Sequence, residues 1–169
     1  LITEMMDKVY QLTQSNYVSF KTELIDPRIK ILNILESCKQ QFEVAHLEFA
    51  LGQILPVQAE RTLLYQLFLN LIGNAVKYSS KKDQPQVEVY SEKHGGSVYY
   101  FIKDNGIGMD VQDTANIFEI FKRLPNSQGF EGSGIGLSIV KRIADRLSAK
   151  VTVESELNVG TTFCVKFKG

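Results

Sequence analysis

Apolar positions recur with two different periods along this chain, and the changes of period mark out its elements. Leu1, Ile2, Met5, Met6, Val9 and Leu12 return every three or four residues, which predicts an amphipathic helix over residues 1–14. Residues 20–25 alternate loosely, as a strand does. Asp26-Pro27 reads as a helix start, with aspartate as cap and proline in the first turn. Ile31, Ile34, Leu35, Cys38 and Phe42 continue it at helical spacing. Residues 44–51 alternate as a strand, and residues 60–78 form the longest helical pattern. Two β-rich runs, 86–91 and 97–103, are joined through His94-Gly95-Gly96, a good hairpin turn. Residues 104–134 contain five glycines, one proline and a brief Phe-containing helix. Irregular connections of that length are usually functional. A helix over 133–147 aligns Leu137, Val140, Ile143, Ala144 and Leu147 on one face. Strands at 150–155 and 161–167 then flank a turn at Asn158-Val159-Gly160.

This order predicts an α+β protein: a two-layer α/β sandwich in which helices cover one face of a mixed, mostly antiparallel sheet. The 169 residues suit one domain with a short appendage. Nineteen basic and nineteen acidic residues balance, so no global charge draws the chain to nucleic acid or membrane, and any polyanion site must be local. Cys38 and Cys164 lack metal-ligand spacing and no disulfide staple is needed at this size, which points to a reducing compartment. No apolar run is long enough to span a bilayer, and no signal peptide is visible. The chain begins at Leu1, without methionine, and reads as a piece of something longer.

Four constellations carry chemistry. On the helix at 60–78, Leu64, Leu67, Phe68, Leu71, Ile72 and Ala75 spread around about 120° from Asn70, while Gln66, Asn70, Asn74 and Lys77 fall within about 40° of it. Three amides and an ammonium thus flank the apolar face. An amide oxygen suits Mg²⁺ and an ammonium one turn on suits phosphate. Alone, the stripe also fits a plain solvated face; Gly73, costly inside a helix, suggests a close approach to the backbone there. Second, Asp104-Asn105-Gly106-Ile107-Gly108-Met109 ends an apolar strand, so its carboxylate can enter a pocket and accept from an exocyclic amine. An Asx turn is the plainer alternative. Third, Gly132-Ser133-Gly134-Ile135-Gly136-Leu137 opens a helix and offers amide N–H groups to an anion. It is neither a Rossmann fingerprint nor a P-loop, because Ile139 replaces the third glycine and no Gly-Lys-Ser/Thr occurs. Fourth, Phe118 and Phe121 lie three apart on a short helix, followed by Lys122 and Arg123, cations able to close over phosphates.

No one of these is decisive; their order is. It resembles the ATP-binding catalytic domain of sensor histidine kinases, the Bergerat-type fold shared with DNA gyrase B, MutL and heat-shock chaperone ATPases. The likeness runs over about residues 20–168. Asn70 to Tyr78 resembles the N box, 104–109 the first glycine box, 117–123 the F box and 132–137 the second glycine box. Phe121-Lys122-Arg123-Leu124 with the later Phe130-Glu131-Gly132 is most similar to phytochrome and PAS-linked kinases.

The resemblance implies roles. Asn74 would hold Mg²⁺ and Asn70 would help position phosphates. Lys77 would contact phosphate and Tyr78 would pack beside adenine. Asp104 would accept from the adenine amino group, with Gly106 and Gly108 bordering the purine pocket. Gly132, Gly134 and Gly136, with Leu137, would hinge the flap and feed amides to phosphate. Arg123, and less directly Lys122, would meet the γ-phosphate. Thr162 would support Asp104 from the neighbouring strand. ATP and Mg²⁺ are therefore the expected ligands. The expected partners are a histidine-bearing dimerisation domain of the same, homodimeric parent and a response-regulator receiver domain. The expected location is cytoplasmic, whether or not the parent is membrane-anchored. Residues 1–16 would end the dimerisation helix and 17–169 would form the catalytic domain. His46, in an expected strand, and His94, beside the hairpin turn, lack the helical context and flanking acid of a phosphoacceptor, so the acceptor would lie upstream. Two rival readings remain: an ATPase of the same fold that drives conformational change, and a nucleotide-binding module without catalysis.

Overall fold

The computed structural model describes residues 21–169, apart from 120, 121, 131 and 133. The expected helix at 1–14, the 16/17 boundary, Phe20, Phe121, Glu131 and Ser133 lie outside the described residues.

Strand β1 (Glu23–Ile25) leads into helix α1 (Arg28–Gln41), strands β2 (Glu48–Leu51) and β3 (Val57–Ala59), and helix α2 (Arg61–Ser79). The hairpin β4 (Gln86–His94) and β5 (Ser97–Asp104) follows. A long connection then carries the short helix α3 (Val111–Thr114) and a 3-10 turn at Pro125–Ser127. Helix α4 (Gly136–Arg146) and strands β6 (Lys150–Glu156) and β7 (Gly160–Phe167) complete the chain. Five strands form the main sheet in the order β2-β4-β5-β7-β6, and β1 pairs with β3 in a separate ribbon. Only β2 against β4 is parallel; the other neighbours in the main sheet are antiparallel.

Alternation in the strands separates two faces. Val87, Val89, Tyr100, Ile102, Phe163 and Val165 are buried under the helices. The opposite face carries Tyr90 stacked on Phe101, 4.8 Å between centroids. Helix α2 lies against β4, β5 and β7, α1 packs beside α2, and α4 reaches β6. The α2 stripe is the centre of the core: Leu64, Leu67, Phe68, Leu71, Ile72 and Val76 are fully buried, and Phe68 meets Tyr100 edge-on at 5.2 Å. Burying one such side chain contributes about 1.5–3 kcal/mol, so this helix fixes the layer on which the polar flank rests.

The expected two-layer architecture is what forms, with local differences. Asp26 does bond the Arg28 N–H, at 3.0 Å. Glu60 caps α2, its carboxylate accepting from Thr62 N–H at 3.0 Å and Leu63 N–H at 2.6 Å. The strand expected at 44–51 begins only at Glu48: Val44 and Leu47 are buried three residues apart, and the chain turns between them with Leu47 N–H bonded to Val44 O at 3.1 Å. His46 therefore sits exposed in a turn, not in a strand. Strand β3 escapes the pattern because three residues show too little alternation to read. Gly73 faces α1: a Cβ there would meet Cys38 Sγ at an ordinary 3.9 Å, so it serves no close ligand approach.

Candidate functional site

The α2 flank, the end of β5 and the connection 105–135 enclose one pocket. Asn70, Asn74, Lys77 and Tyr78 line it from α2, and Asp104 closes it from the last position of β5. Ile107, Gly108, Met109, Ile117 and Leu124 supply an apolar wall. Lys122 and Arg123 face it from the connection, and Gly132, Gly134, Gly136 and Leu137 border it at the start of α4. Helical periodicity explains the α2 group: positions 70, 74, 77 and 78 share one side of the helix while the leucine face is held by the sheet.

Asp104 is strongly perturbed. Only 7% exposed, it ends a strand whose inward positions are otherwise apolar. Its Oδ1 accepts from Gly106 N–H at 2.7 Å, and Thr161 N–H gives a second backbone bond. Desolvation outweighs these bonds and the distant Lys82 charge, pushing the carboxyl up to about 7. Such a group, buried and aimed into a cleft, marks a functional position. The glycines around it have distinct reasons. A Cβ on Gly106 would fall 2.6 Å from Tyr78 O, so Gly106 lets the strand end close on α2. Gly106 does not border the pocket, as expected of it; it lies behind Asp104 and supplies the amide. Gly108 does line the pocket, at φ +62°, with its Cα against Glu156 O.

The other end is polar. Asn70 Nδ2 donates back to Gln66 O at 2.8 Å, and Oδ1 faces Gly136, where a Cβ would lie 3.4 Å away. Gln66 itself does not reach the pocket. Lys77 Nζ stands 4.5 Å over the Tyr78 ring and would be 3.2 Å from a Cβ on Gly132. Helix α4 begins at Gly136, and its cap residue Ile135 offers no side-chain acceptor to the first-turn N–H groups. That leaves the positive end of the helix directed to the same region as Lys77. Arg123 Nη2 donates to Phe130 O at 2.7 Å.

The helix expected around Phe118 is shorter and earlier: α3 ends at Thr114, and the chain turns through 115–119. Ile117 reaches the pocket wall, while Phe118 packs edge-on to Phe163 at 6.4 Å. Thr162 requires correction. It pairs with Lys103 and points to the sheet face away from the helices, whereas Thr161, one residue earlier, pairs with Asp104 and lines the pocket. The period-2 alternation of Thr161, Phe163 and Val165 contains that signal. Thr161 Oγ1 also meets Ser155 Oγ at 2.8 Å, which in turn accepts from Met109 N–H at 2.9 Å. Met109, Ile117, Leu124 and Phe163 were not expected in the site; only the folding of the connection onto β7 brings them there.

Residues fit a magnesium nucleotide in type. Among the described residues no three His, Cys, Asp or Glu side chains gather at one point, so a divalent ion here would depend on amide oxygen and phosphate oxygens.

Comparison with known proteins gives a consistent picture. Residues 59–169 match the family described as histidine kinase-, DNA gyrase B- and HSP90-like ATPase. Drug sensory protein A of Synechocystis sp. is 35% identical over 164 residues, 92% of this chain and 22% of that protein. Phytochrome-like protein Cph1 of the same organism is 33% identical over 129 residues, 76% of this chain and 17% of that protein. The chain thus spans about a fifth of the length of these two relatives. Among solved structures, the mycobacterial sensor histidine kinase MprB superposes with a TM-score of 0.74 at 25% identity, covering 87% of this chain and 97% of that one. Full-length ShkA in complex with AMPPNP shares the fold, with a TM-score of 0.82 at 24% identity over 98% of this chain and 35% of that one.

Proposed function

This chain belongs to the histidine kinase-, DNA gyrase B- and HSP90-like ATPase family, and on that premise we propose that it is the catalytic domain of a sensor histidine kinase, transferring the γ-phosphoryl group of ATP to a histidine on a dimerisation domain. The observation that carries the reading is the buried Asp104 carboxyl facing a pocket whose far end holds Asn70, Asn74, Lys77 and an uncapped helix start. One end suits a purine amine and the other a polyphosphate.

Asp104 accepts from the adenine amino group, and Tyr78, Met109 and Ile107 form the apolar walls beside the ring. Asn70, Lys77 and the first-turn amides of α4 hold the phosphates, with Arg123 and Lys122 at the terminal one. Asn74 holds Mg²⁺, which when bound neutralises phosphate charge. Catalysis is then positioning and charge stabilisation. An imidazole nitrogen forms the new bond to the γ-phosphorus, the bond to the β–γ bridging oxygen breaks, and ADP leaves with that electron pair. The imidazole proton passes to a base supplied by the dimerisation domain.

Neither histidine of this chain suits the acceptor role. His94 Nε2 pairs with Glu92 at 2.8 Å at the hairpin end of the sheet. It is about 23 Å along β5 from Asp104 at 3.3 Å per residue. His46 is exposed in the turn before β2. The acceptor therefore comes from another domain, of a homodimeric parent that would pass the phosphoryl group to a response-regulator receiver domain in the cytoplasm. No helix among the described residues is long and apolar enough to cross a membrane.

The test is transfer of labelled γ-phosphate from Mg·ATP to an added histidine-bearing dimerisation domain. The expected product is acid-labile, alkali-stable phosphohistidine, formed only when both parts are present. Release of inorganic phosphate by the chain alone, with no labelled histidine, would favour the conformational ATPase instead.

A further inference from the structure

Lys81 lies just past the end of α2 and outside the pocket lining, yet it makes two contacts with the connection that covers the pocket. Its Nζ donates to Gly129 O at 2.9 Å and stands 4.4 Å from the Phe130 ring centroid. Phe130 is 9% exposed and meets Tyr78 edge-on, 5.3 Å between centroids. The same residue's carbonyl oxygen accepts from Arg123 Nη2 at 2.7 Å. One short segment, Gly129-Phe130, is thus gripped by Lys81 from the helix side and itself grips Arg123 at the phosphate end.

These contacts form a continuous physical link. An ammonium is attracted to an aromatic face by the ring quadrupole. A hydrogen bond from a charged donor is stronger than one between neutral groups. Both act on a segment whose neighbours make few regular backbone bonds, so together they can decide where it rests. We propose that Lys81 is a positioning residue: it docks the Phe130 segment on the end of α2 and so sets Arg123 at the terminal phosphate of the bound nucleotide. The proposal rests on the nucleotide reading above. It assigns Lys81 no contact with the substrate.

A positioning role through Arg123 has a signature that simple loss of stability lacks. ATP and ADP differ at the terminal phosphate, so misplacing Arg123 must affect ATP more. Calorimetric titration of the chain with Mg·ATP and Mg·ADP is the experiment, using wild type, Lys81→Met, Lys81→Arg and the pair Lys81→Met with Phe130→Leu. Lys81→Met keeps the stem and removes the ammonium from an exposed position, and its melting curve confirms folding. The expected result is an ATP affinity reduced about 3–10-fold, with ADP changed less than about twofold. Lys81→Arg, which keeps both donor and charge, should restore the wild-type ATP-to-ADP ratio. Phe130→Leu should cost little more once Lys81 is Met, because the two act as a unit. Equal weakening of ATP and ADP, or none for either, would overturn the role of Lys81. Absence of ATP binding by the wild type would instead sink the nucleotide reading, so the two failures are distinct.

Discussion

The two ends of the pocket are built by different means. The purine end rests mainly on regular structure, with Ile107 and Met109 added from the start of the connection: Asp104 closes a strand paired on both sides, and α2 presents Tyr78 above a face of fully buried residues. Its geometry is fixed by ladders and by apolar burial before any ligand arrives. The phosphate end joins Asn70, Asn74 and Lys77 of α2 to the later part of the connection 105–135, which buries few apolar residues, Phe130 and Ile135 among them. Single side-chain bonds hold its later part: Lys81 ties it to the end of α2 through Gly129 O at 2.9 Å, and within the connection Asn126 bonds Gly108 O at 2.9 Å and Arg123 bonds Phe130 O at 2.7 Å. Segments held in this way open at lower free energy than sheet cores. The difference teaches that recognition of the base is preformed, while the reacting end can open for exchange and close for transfer.

Breaking the phosphate end should produce the largest effect. Asn74→Ala should lower Mg²⁺-dependent phosphoryl transfer to a dimerisation domain roughly 100-fold, with the melting temperature little changed. Transfer at the wild-type rate would remove Asn74 from the metal-binding role. At the purine end, Asp104→Ala should weaken ATP about 10–100-fold but leave inorganic triphosphate nearly unaffected, measured by competition or calorimetry. Equal losses for both ligands would contradict the amine contact.

Proton linkage sharpens the contrast, because among the described residues only the purine end holds a buried carboxyl that titrates near neutrality. In the free protein Asp104 gains its charge near pH 7, and the ionised carboxylate, with acceptors only, is the strong partner for an amine. ATP affinity should therefore fall about tenfold between pH 8 and pH 6, and Asp104→Asn should flatten that profile. A wild-type profile as flat as that of the variant would show that the carboxyl is not engaged.

The smallest effect concerns stability. The unfolded chain ionises this group near pH 4, the folded chain near pH 7. Folding therefore takes up a proton between those values, and stability drains away as pH rises from 4 to 7 and stays lost above. Asp104→Asn should raise the melting temperature by a few degrees at pH 8 and leave it unchanged at pH 3, as followed by circular dichroism. A variant less stable at pH 8 would mean that the backbone bonds to the carboxylate outweigh its desolvation.

The same division governs what could be read from sequence. Elements with a long repeat were legible: the α2 stripe, the β4–β5 hairpin and the order of the four motifs. So was the side of α2 shared by Asn70, Asn74 and Lys77, since helical period defines direction locally; that Tyr78, Asp104 and Arg123 join them in one pocket was legible only through the resemblance of the four ordered motifs to the family. What failed depended on contacts between distant segments. Met109, Ile117 and Phe163 become one wall only when the connection folds onto β7. Gly106 acts on Asp104 from behind because the chain turns under Tyr78, which no glycine count reveals. The resemblance implies Thr162, but alternation with Phe163 and Val165 marks Thr161 as the inward residue. The short α3 replaced an expected Phe-bearing helix because Ile117 and Phe118 turn into the pocket wall and onto β7 instead of stacking on one helical face.

The most direct single measurement compares ATP with GTP by calorimetry on the folded chain at pH 8 with Mg²⁺. GTP carries a carbonyl oxygen where adenine has its amine, so the buried carboxylate should reject it. Binding of ATP at least about 100-fold tighter than GTP is the expected result; no heat with ATP, or equal affinity for the two, would contradict the account.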